Sequence, residues 1–393
     1  MTSGPAPTAP SDRIVSLDAL RGVAILGILL INIQSFSMPE IVRINPTQYG
    51  DFTGINFLVW LLSHVFIERK FITLFALLFG AGVLLFVNAK EKQGYSAVKL
   101  HYRRTFWLLV IGGIHAYLLW DGDILVVYGL CALWIVLARE WSASKLATFG
   151  TLLLSVPFFF RLEQALALDP GAQLEFWTAS EAAIQAEIEA YRGGWTENME
   201  ERVPAAYAQH TTQFLGLLAW RYTGIMLWGM ALFKWGFLSN RRSVAEYRRL
   251  AFASGVGGLA LTGAGVVFII AHDWSSSAGF VWPLFNYWGS LLLALSYVAL
   301  VMLFCRGRTG TPLVHGFAAV GRTALSNYLF QTVVATSIFY GFGLGLFGHV
   351  SRLEQLGIVV LIWVVQITLS VLWLRRFRYG PVENVWRVLT YRL

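Results

Sequence analysis

The sequence predicts an all-α protein: a polytopic bundle of about ten transmembrane helices with an amphipathic helical cap on its outer side. Three observations predict this class. Of the 393 residues, 56% are hydrophobic and 13% are charged, about half the charge density of an average soluble domain. The apolar residues form runs of membrane-spanning length. Basic residues gather in alternate connections between these runs. This composition excludes an ordinary cytosolic enzyme and a disordered chain, and the presence of only two Cys excludes a disulfide scaffold.

Ten apolar stretches are candidate spans, because a helix needs roughly 20 mostly apolar residues to cross a bilayer. They lie at residues 14–36, 70–88, 105–120, 124–138, 145–161, 213–236, 250–272, 280–304, 324–344 and 354–376. A short leader, 1–13, precedes the first stretch, which Asp18 and Arg21 interrupt. Since no small-residue cleavage site follows, we interpret the first stretch as a retained helix and not as a signal peptide.

The basic residues predict the orientation of the spans. They cluster in every second connection and in the tail, 377–393, whereas the other connections hold Asp121 and Asp123, the segment 162–212, Asp273 and the short link around His349. The segment 162–212 has nine acidic and two basic residues. By the positive-inside rule, both termini are cytoplasmic and 162–212 lies outside. The net charge of +8 then reflects topology and contact with membrane lipids. Nucleic acid is not an expected partner, because no basic run interleaved with polar residues is present.

Residues 55–69 do not fit this simple alternation. They are apolar enough for half a span, but counting them as a crossing inverts every later connection. We interpret them as an interfacial or re-entrant helix on the outer side that leads into the span at residue 70. The segment belongs to an N-terminal transmembrane half, 14–161, and a C-terminal half occupies 213–376.

The outer segment 162–212 between the two halves shows helical spacing. Ala182, Ile184, Ile188 and Tyr191 form one apolar stripe among glutamates. This pattern is typical of an amphipathic helix, and we expect a helix or a helix pair that lies as an outer cap.

The clearest polar constellation follows the third span. His115 precedes a tight turn with Asp121 and Asp123, and Tyr128 stands on the next helix. The hairpin can bring His115 and Asp123 together. A carboxylate beside an imidazole raises its basicity and fixes its tautomer, as a general base requires. The alternative is that His115 donates a hydrogen bond to a neighbouring carbonyl and that both carboxylates only cap the start of a helix.

Ionisable side chains on the first helix are a second candidate, since a charge at bilayer depth costs at least ~2.5–3.5 kcal/mol. Asp18 and Arg21 are spaced i, i+3 near its inner end and can pair. Either they form a neutralised helix terminus, or Arg21 steadies a phosphate or carboxylate at the cytoplasmic mouth. Asn32 lies near the outer end of the same helix.

Arg221 lies at least two turns inside the sixth span, where snorkelling is difficult. It therefore needs an anionic partner, and Asp123, Glu68 and a bound substrate are the candidates. His64 and Glu68 are spaced i, i+4 on the interfacial segment. We favour half-solvated interfacial charge for this pair, with the lining of an outer cavity as the alternative.

Asn327 and Gln331 lie one turn apart on the ninth span. Buried amides in a membrane commonly hydrogen-bond between helices, and this interpretation stands beside a substrate contact. The sequence contains no HExxH, Walker A, CxxC or G-x-S-x-G motif, so we expect no metal cofactor.

Five motifs in chain order resemble YeiB-like bacterial membrane proteins, which carry a C-terminal domain of unknown function. They are R-I-V-S-L-D-A-L-R-G-V-A-I-L-G-I-L-L-I-N (13–32), K-F-I-T-L-F-A-L-L-F-G-A-G (70–82), I-H-A-Y-L-L-W-D-G-D-I-L-V-V-Y (114–128), G-R-T-A-L-S-N-Y-L-F-Q-T (321–332) and R-Y-G-P-V-E-N-V-W-R (378–387). The resemblance covers nearly the whole chain and implies the bacterial cytoplasmic (inner) membrane.

The resemblance also implies an activity, because this family is distantly similar to a transmembrane acyltransferase superfamily. That superfamily includes the lysosomal heparan glucosaminide acetyltransferase. Its members pass an acyl group from cytoplasmic acyl-CoA to an acceptor on the far side, using an intramembrane His. The residues carried over from the matching motifs are Asp18, Arg21, His115, Asp123, Arg322, Asn327, Gln331 and Glu383.

The first functional hypothesis is therefore acyl transfer, with acetyl as the first choice of group. His115, oriented by Asp123, deprotonates a hydroxyl or amine of a small-molecule, glycan or lipid acceptor, which attacks the thioester. Basic side chains hold the CoA phosphates, and a buried amide or guanidinium stabilises the oxyanion. The cofactor-binding candidates for acyl-CoA are Asp18, Arg21, Arg103 and Arg104, and the substrate or oxyanion candidates are Arg221, Asn327, Gln331, Asn32, Tyr128 and Glu68.

Two other classes stay open. In a transporter, or in a protein that binds a lipid or a small anion without chemistry, Arg21 and Arg221 mark an anion pathway. The absence of an inverted repeat and of paired broken helices in the sequence counts against transport. In a structural or sensor protein, the acidic cap faces the ligand. The oligomeric state is also open, a homodimer included.

Overall fold

The computed structural model describes residues 14–391, whose regular secondary structure is helical. The predicted leader, 1–13, lies outside the described residues. In chain order the helices are α1 (Val15–Ser37), α2 (Ile41–Ile44), α3 (Gly54–Phe66), α4 (Lys70–Lys92), α5 (Ala97–Leu118), α6 (Leu125–Ile135), α7 (Ala143–Ala167), α8 (Pro170–Trp177), α9 (Glu181–Arg192), α10 (Trp195–His210), α11 (Ala219–Lys234), α12 (Val244–Ala271), α13 (Ser276–Cys305), α14 (Pro312–Arg322), α15 (Ala324–Phe339), α16 (Arg352–Arg376) and α17 (Pro381–Tyr391).

Six stretches are long and apolar enough to cross a membrane. They are Val15–Ser37, Gly54–Lys92, Ala143–Ala167, Val244–Ala271, Ser276–Cys305 and Arg352–Arg376. The second joins α3 to α4. The predicted all-α membrane class is confirmed, and each of the ten predicted spans coincides with a helix. The total of about ten crossings stays a prediction, because α5, α6, α11 and α15 fall below the length or hydropathy of the six.

The outermost helices expose apolar faces of the kind that lipid covers. On α16, Val360, Leu361, Val364 and Leu372 are each about half exposed or more. Water-soluble surfaces rarely carry continuous apolar faces of this size. The interior of the bundle, by contrast, is where most polar side chains of the spans are buried, which is the arrangement expected in a bilayer.

The first helix runs through the middle of the bundle, against α14, α4, α15 and α13. Small residues permit its closest crossing. A Cβ on Gly22 would collide with the backbone of Phe317, and one on Gly321 with the backbone of Asp18. Such small-residue contacts let membrane helices approach at backbone distance. This crossing explains why the L-D-A-L-R-G and G-R-T-A-L-S stretches both carry a glycine.

The bundle has two chemically distinct ends. The basic end carries the connections 93–96, 139–142, 235–243 and 306–311, and the cap end carries the turns 119–124 and 272–275 and the helices α8, α9 and α10. Polar contacts hold each end together. At the basic end Lys234 donates to the carbonyls of Arg139 (2.8 Å) and Trp141 (2.6 Å). At the cap end Arg202 donates to the carbonyls of Leu118 (3.1 Å) and Leu119 (2.7 Å).

The predicted cap of 162–212 consists of three short helices and the end of α7, where we expected one helix or a pair. The turns at Asp169 and Ser180 explain the division, because each side chain accepts the first free N–H groups of a new helix. Of the predicted stripe, Ile184, Ile188 and Tyr191 are buried. Ala182 is exposed, and its inclusion in the stripe is wrong, because a residue two positions before Ile184 points to the opposite side of the helix.

The segment predicted as an interfacial helix, 55–69, forms α3 and the three residues after it. Its exposed face is apolar, with Ile55, Leu58 and Leu62 each more than two-fifths exposed, and its buried face carries Trp60 and His64. A helix with apolar side chains outward and a histidine inward suits a lipid contact at its outer face. Whether it crosses the bilayer stays a prediction.

The last helix, α17, fastens the start of α15. Glu383 Oε1 accepts the backbone N–H groups of Leu325 (2.7 Å) and Ser326 (3.1 Å), and its other oxygen pairs with the Ser326 hydroxyl at 2.5 Å. A carboxylate at a helix N-terminus satisfies free donors and complements the helix dipole. Glu383, one of the residues that the resemblance implies, thus holds α17 to the start of α15 at the basic end.

Candidate functional site

The carboxyl end of α5 brings His115 into the interior of the bundle, beside the turn that leads into α6. Its Nδ1 lies 2.7 Å from Asp123 Oδ1, so the approach across the hairpin that the sequence predicts is present. Its Nε2 lies 2.9 Å from the hydroxyl of Thr332 on α15. None of the three residues is more than 1% exposed. A chain of three buried polar groups therefore links α5, α6 and α15.

The partners of Asp123 define the protonation of this chain. Its second oxygen accepts the backbone N–H of Val126 at 2.7 Å, so the carboxylate both orients His115 and caps α6. An ionised carboxylate only accepts, and we therefore assign the proton of the neutral imidazole to Nδ1. Nε2 then accepts the proton of the Thr332 hydroxyl. An imidazole held in this tautomer is oriented as a base toward the hydroxyl beyond it.

Aromatic side chains surround the imidazole. The ring of Tyr328 lies 5.1 Å from that of His115, and the hydroxyl of Tyr328 accepts the N–H of Ile124 at 3.3 Å. Trp120 meets the imidazole edge-on at 6.4 Å. Tyr128, a predicted site residue, donates to the carbonyl of Ile72 at 3.1 Å. These rings exclude water, so the interaction of His115 with its carboxylate is not screened by solvent.

A cavity of about 370 Å³ lies on the other side of Trp120, at the cap end. Acidic and aromatic side chains line it, together with one arginine. They include Glu40, Arg43, Trp120, Asp121, Glu187, Tyr191 and Glu201. The indole of Trp120, packed at 4.1 Å on Phe36, separates this cavity from His115.

Two carboxyl groups that line the cavity have a raised pKa. Burial raises the pKa of Asp121 to about 6, and the charge of Glu40 adds to the shift. Burial raises the pKa of Glu187 to about 7, with added repulsion from Glu40 and Glu201. The backbone N–H of Glu40 donates to Glu187 at 2.9 Å and opposes the shift in part. The cap end therefore changes charge near neutral pH.

A second group of ionisable side chains lies between α4, α7, α11 and α13, where α4 and α7 pack against the other two helices. Arg69, Arg161 and Arg221 are electrostatic neighbours of one another and of Tyr287; we call these three the arginine cluster. The guanidinium carbon of Arg221 lies 4.5 Å over the ring of Tyr287. Arg69 Nε lies 3.5 Å from Glu68, whose other oxygen pairs with His64 at 2.5 Å.

Arg221 is 8% exposed, and neither of its terminal nitrogens has a hydrogen-bond partner among the described residues. The two side chains that the sequence offers as partners are engaged elsewhere. Asp123 binds His115, and Glu68 binds His64 and Arg69. The predicted ion pair of Arg221 with Asp123 or Glu68 is therefore not formed, and a bound substrate as its partner stays a prediction.

The favoured interpretation of His64 as half-solvated interfacial charge is wrong. His64 is 3% exposed and lies between the rings of Trp60 (5.4 Å) and Trp282 (4.6 Å). The neighbouring Lys70 is fully buried and donates to the His64 carbonyl at 2.6 Å and to Asn286 at 2.7 Å. The indoles of α3 and α13 close over the pair because both helices turn their polar faces inward.

Tyrosines connect the arginine cluster to the histidine. Tyr222 follows Arg221 on α11, and its ring lies 5.4 Å from that of Tyr128 on α6. Tyr222 and Tyr328 are in turn electrostatic neighbours, and Tyr328 packs on His115. Three buried tyrosine rings therefore lie between Arg221 and His115.

At the basic end, Asp18 and Arg21 form the predicted ion pair at 2.9 Å and are partly exposed. Arg104 lies between the rings of Phe86 (4.9 Å) and Trp386 (4.4 Å). Arg21 and Arg387 are its electrostatic neighbours. The structure therefore brings two of the predicted phosphate-binding residues, Arg21 and Arg104, to one place, and Arg103 lies half-buried next to them on α5.

The amides predicted on the ninth span form a hydrogen-bond network between helices. Asn327 donates to Ser370 on α16 at 2.9 Å and accepts from Gln366 at 3.1 Å. Gln331 donates to Gln366 at 3.1 Å and to the carbonyl of Ile25 on α1 at 3.1 Å. The two amides thus join α15 to α16 and α1, as the interpretation of interhelical hydrogen bonds predicts. The structure does not bring Asn327 or Gln331 into contact with His115. Asn32 is half-buried on α1.

Three residues of these sites escaped the sequence analysis. Thr332 ends the motif G-R-T-A-L-S-N-Y-L-F-Q-T, but an isolated Thr in an apolar helix gives no signal of its own. Arg69 and Arg161 gave a signal that could have been used, because each is a charge at the end of an apolar run. Within residues 14–391, no three His, Cys, Asp or Glu side chains converge as metal ligands.

Fold and site together define a class: an all-helical integral membrane protein with an Asp–His–Thr chain and a separate arginine cluster in its interior. Comparison with known proteins agrees. A family model described as "Protein of unknown function (DUF418)" matches residues 232–393. The chain is 36% identical to the uncharacterized protein YeiB of Escherichia coli (strain K12) over 97% of each chain. It is 32% identical to the uncharacterized protein YxaH of Bacillus subtilis (strain 168) over 98% of this chain and 96% of that one.

The chain therefore belongs to the YeiB-like family, and the family assignment made from the motifs is confirmed.

Proposed function

We propose that the protein is an integral membrane acyltransferase. It moves an acyl group, acetyl in the first instance, from acyl-CoA to a hydroxyl or amine acceptor in or across the membrane. The observation that carries the proposal is the buried chain Asp123–His115–Thr332, with spacings of 2.7 Å and 2.9 Å at the two imidazole nitrogens. His115 is the base. An acceptor hydroxyl takes the place of the Thr332 hydroxyl, gives its proton to Nε2 and attacks the thioester carbonyl.

Asp123 supports this step in two ways. It keeps the proton of neutral His115 on Nδ1, and it stabilises the imidazolium that forms as Nε2 takes up the acceptor proton. When the tetrahedral intermediate collapses, the C–S bond breaks and the CoA thiolate leaves. The imidazolium then returns its proton to the thiolate, so that the enzyme regains its starting charge.

The donor is proposed to bind from the basic end. Arg104 and His115 both lie on α5, eleven residues apart, which is about three turns and roughly 17 Å. Eleven residues bring a helix back to nearly the same face, so both side chains address the same side of α5. Arg21, Arg103 and Arg104 hold the CoA phosphates in this proposal, and the pantetheine arm follows α5 toward His115. Acyl-CoA is thus a donor substrate at the cytoplasmic side of a bacterial inner membrane.

The test is transfer of label from radioactive acetyl-CoA in inverted membrane vesicles that contain the protein. Label in a lipid or glycan fraction, present with the wild type and absent with His115→Ala, supports the proposal. Acetyl-CoA binding to the purified protein is measured in parallel. No binding at millimolar acetyl-CoA contradicts it.

A second candidate function is binding or transport of an anion without chemistry. The buried Arg221 favours it, because its two terminal nitrogens have no hydrogen-bond partner within residues 14–391 and a buried arginine calls for an anion. Counterflow of an unmodified anion in proteoliposomes, lost with Arg221→Gln and kept with His115→Ala, distinguishes this candidate from the enzyme.

A further inference from the structure

The cap-end cavity lies between the membrane bundle and the cap. The end of α1, α2 and the turn after α5 form one wall, and α9 and α10 form the other. The lining residues of the two cap helices are Ala183, Ala186, Glu187, Tyr191, Glu201 and Ala205. Their spacing of three or four residues places them on one face of each helix. Because three of them are alanines, a space of about 370 Å³ is left between the walls, which is in the size range of small-molecule sites.

The walls of this cavity have more negative than positive charge. Four carboxylates line it, and the basic side chain among the lining residues is Arg43. Arg43 lies 3.8 Å from Glu40, and both side chains are more than half exposed, so this pair is at the rim. Within residues 14–391, no ion pair joins Asp121, Glu187 or Glu201 to a basic side chain. Three carboxylates of the cavity are therefore without a cation.

The protonation of the two deeper carboxyl groups reflects this imbalance. Burial is the main cause that raises the pKa of Asp121 and of Glu187, and neighbouring carboxylates add to both shifts. Arg43 and Arg202 oppose the shift of Asp121 without cancelling it. The guanidinium of Arg202 is engaged by the backbone carbonyls at the end of α5. A cation inside the cavity would stabilise both ionised carboxylates.

Aromatic side chains complete the walls. Trp120 packs at 4.1 Å on Phe36, and a Cβ on Gly122 would collide with its indole, so the ring is held in place. On the cap side, Tyr191 stacks at 4.6 Å on Phe347. Fixed aromatic rings attract an ammonium ion through their quadrupole, and this attraction adds to that of the carboxylates.

A buried hydroxyl behind the cap-side wall also lacks a partner. Tyr340 is fully buried, and its hydroxyl has no hydrogen-bond partner within residues 14–391. Its ring lies 4.9 Å from that of Tyr191. Asp121 and Glu187 are the carboxylates that act on this hydroxyl electrostatically. Since buried hydroxyls are nearly always hydrogen-bonded, the Tyr340 hydroxyl is available to a polar ligand of the cavity.

The arrangement of the carboxylates indicates the size of the cation. A metal ion such as Ca²⁺ needs several oxygens that converge on one point, at roughly 2.3–2.6 Å. Within residues 14–391, no three His, Cys, Asp or Glu side chains converge in this way. Carboxylates that are spread over two walls suit a larger cation with several N–H donors, because each N–H group can reach a different acceptor.

We propose that the cap-end cavity binds a small organic ammonium ion, whose N–H groups donate to Asp121 and Glu187. Its hydrocarbon part lies against Trp120 and Tyr191, and the more exposed Glu40 and Glu201 attract it to the opening. The cap helices α9 and α10 thus form one half of a ligand site on the outer side of the bundle. This binding does not depend on acyl transfer, because the Trp120 indole separates the cavity from His115.

The test is isothermal titration of the full-length protein in detergent with hexane-1,6-diamine. Hexane-1,6-diol, which has the same chain without the charges, is the matched control. At about pH 8 both Asp121 and Glu187 are ionised, since their pKa values are about 6 and about 7, and the diamine keeps its protons. The diamine is expected to bind below millimolar concentration and the diol is not. Equal affinities for the two ligands overturn the proposal.

Two glutamates of α9 test the charge of the wall. Glu187→Gln is expected to weaken binding of the diamine at least tenfold, as the loss of a charge-assisted hydrogen bond would. It keeps an oxygen for the backbone N–H of Glu40, which Glu187 accepts at 2.9 Å. Glu189 is exposed and lies two residues further on, outside the lining, so Glu189→Gln should bind as wild type does. Equal weakening by both variants would show attraction to the acidic surface at large and overturn the site.

The shape of the cavity is tested without a change of charge. Ala186→Leu places a larger side chain on the lining face of α9 and is expected to weaken binding at least tenfold. Thermal unfolding with and without the diamine accompanies each titration, because a ligand of the folded state raises the melting temperature of every variant that binds it. Wild-type affinity in both Glu187→Gln and Ala186→Leu overturns the proposal.

A calcium titration separates the two kinds of cation. Ca²⁺ is expected not to displace the diamine below millimolar concentration, since the carboxylates do not converge on one point. Displacement by micromolar Ca²⁺ would show an inorganic cation site and overturn the organic assignment. No acyl-CoA is present in these assays, so their result is independent of the His115 chemistry.

Discussion

The hydroxyl of Thr332 lies 2.9 Å from Nε2 of His115, although the two residues are 217 positions apart in the sequence. This hydroxyl occupies the direction in which an imidazole oriented by Asp123 accepts a proton. In the proposed acyl transfer, either the acceptor displaces the Thr332 hydroxyl, or Thr332 carries the acyl group itself for part of the cycle. The two routes differ in what a single substitution does.

Replacement of His115 tests the base itself. We predict that His115→Ala lowers acyl transfer from acetyl-CoA by 10²- to 10⁴-fold, the usual contribution of a general base. Acetyl-CoA binding, measured by calorimetry on the purified protein, is expected to be unchanged because the proposal places the CoA phosphates at the basic end, away from His115. The exposed His272, on the turn after α12, provides the control His272→Ala, which should be active. Loss of binding together with turnover would contradict a role in the chemical step alone.

Replacement of Thr332 separates the two routes. If an acceptor displaces the hydroxyl, Thr332→Val keeps transfer within about tenfold of wild type. The variant should also unfold about 1–3 kcal/mol more easily, because Nε2 loses its partner in a buried site. If Thr332 is an acylated nucleophile, Thr332→Val abolishes transfer and Thr332→Ser restores it, and mass spectrometry finds an acetyl adduct on that residue. We expect the first result.

The contacts that the sequence predicts are those between residues that lie close together in the chain. Asp18 with Arg21 and His64 with Glu68 are one helical turn apart, so the period of the helix alone brings each pair together. A tight turn joins His115 to Asp123 and brings the next helix back against the previous one. In each of these cases a few backbone angles determine the contact, and the residue types identify it.

The parts that the sequence did not predict depend on packing between distant helices. Thr332 on α15 meets His115 on α5 across 217 positions of sequence, and the arginine cluster forms because α4 and α7 both pack against α11 and α13. Periodicity within a single helix carries no information on which helices become neighbours. For the same reason the expected ion pair of Arg221 with Asp123 or Glu68 is not formed, since local partners at closer range engage both carboxylates.

The position of Arg104 predicts a specific effect on donor binding. We expect Arg104→Gln to weaken the binding of acetyl-CoA by roughly tenfold, as the loss of one charge-assisted phosphate contact would. With 3′-dephospho-CoA the same substitution should cost less if Arg104 meets the 3′-phosphate. Isothermal titration of both ligands measures the difference, and Lys145→Gln at the same end of the bundle is the matched control. An equal affinity of wild type and Arg104→Gln for acetyl-CoA would place the donor elsewhere.

The acidic cavity predicts how stability depends on pH. The folded protein raises the pKa of Asp121 from 3.8 to about 6 and that of Glu187 from 4.5 to about 7. Between these values the folded state binds more protons than the unfolded chain, so stability falls as pH rises from about 4 to about 7 and then levels off. Thermal unfolding in detergent measures the slope. Glu187→Gln should flatten it, whereas the exposed Glu175→Gln should not.

The close packing of α4 against α11 can be tested with two glycines of α4. One of them contacts the backbone of α11 and the other contacts nothing. A Cβ on Gly80 would collide with the backbone of Met226, whereas a Cβ on Gly82 has nothing within 4 Å. We predict that Gly80→Ala lowers stability by about 1–3 kcal/mol or more through overpacking. Gly82→Ala should be neutral or stabilise by up to ~1 kcal/mol, since alanine favours a helix. Thermal unfolding of both variants in the same detergent measures the contrast. Equal melting temperatures would mean that α4 and α11 do not meet at backbone distance, and the placement of Arg221 beside Arg69, which depends on that crossing, would then fail as well.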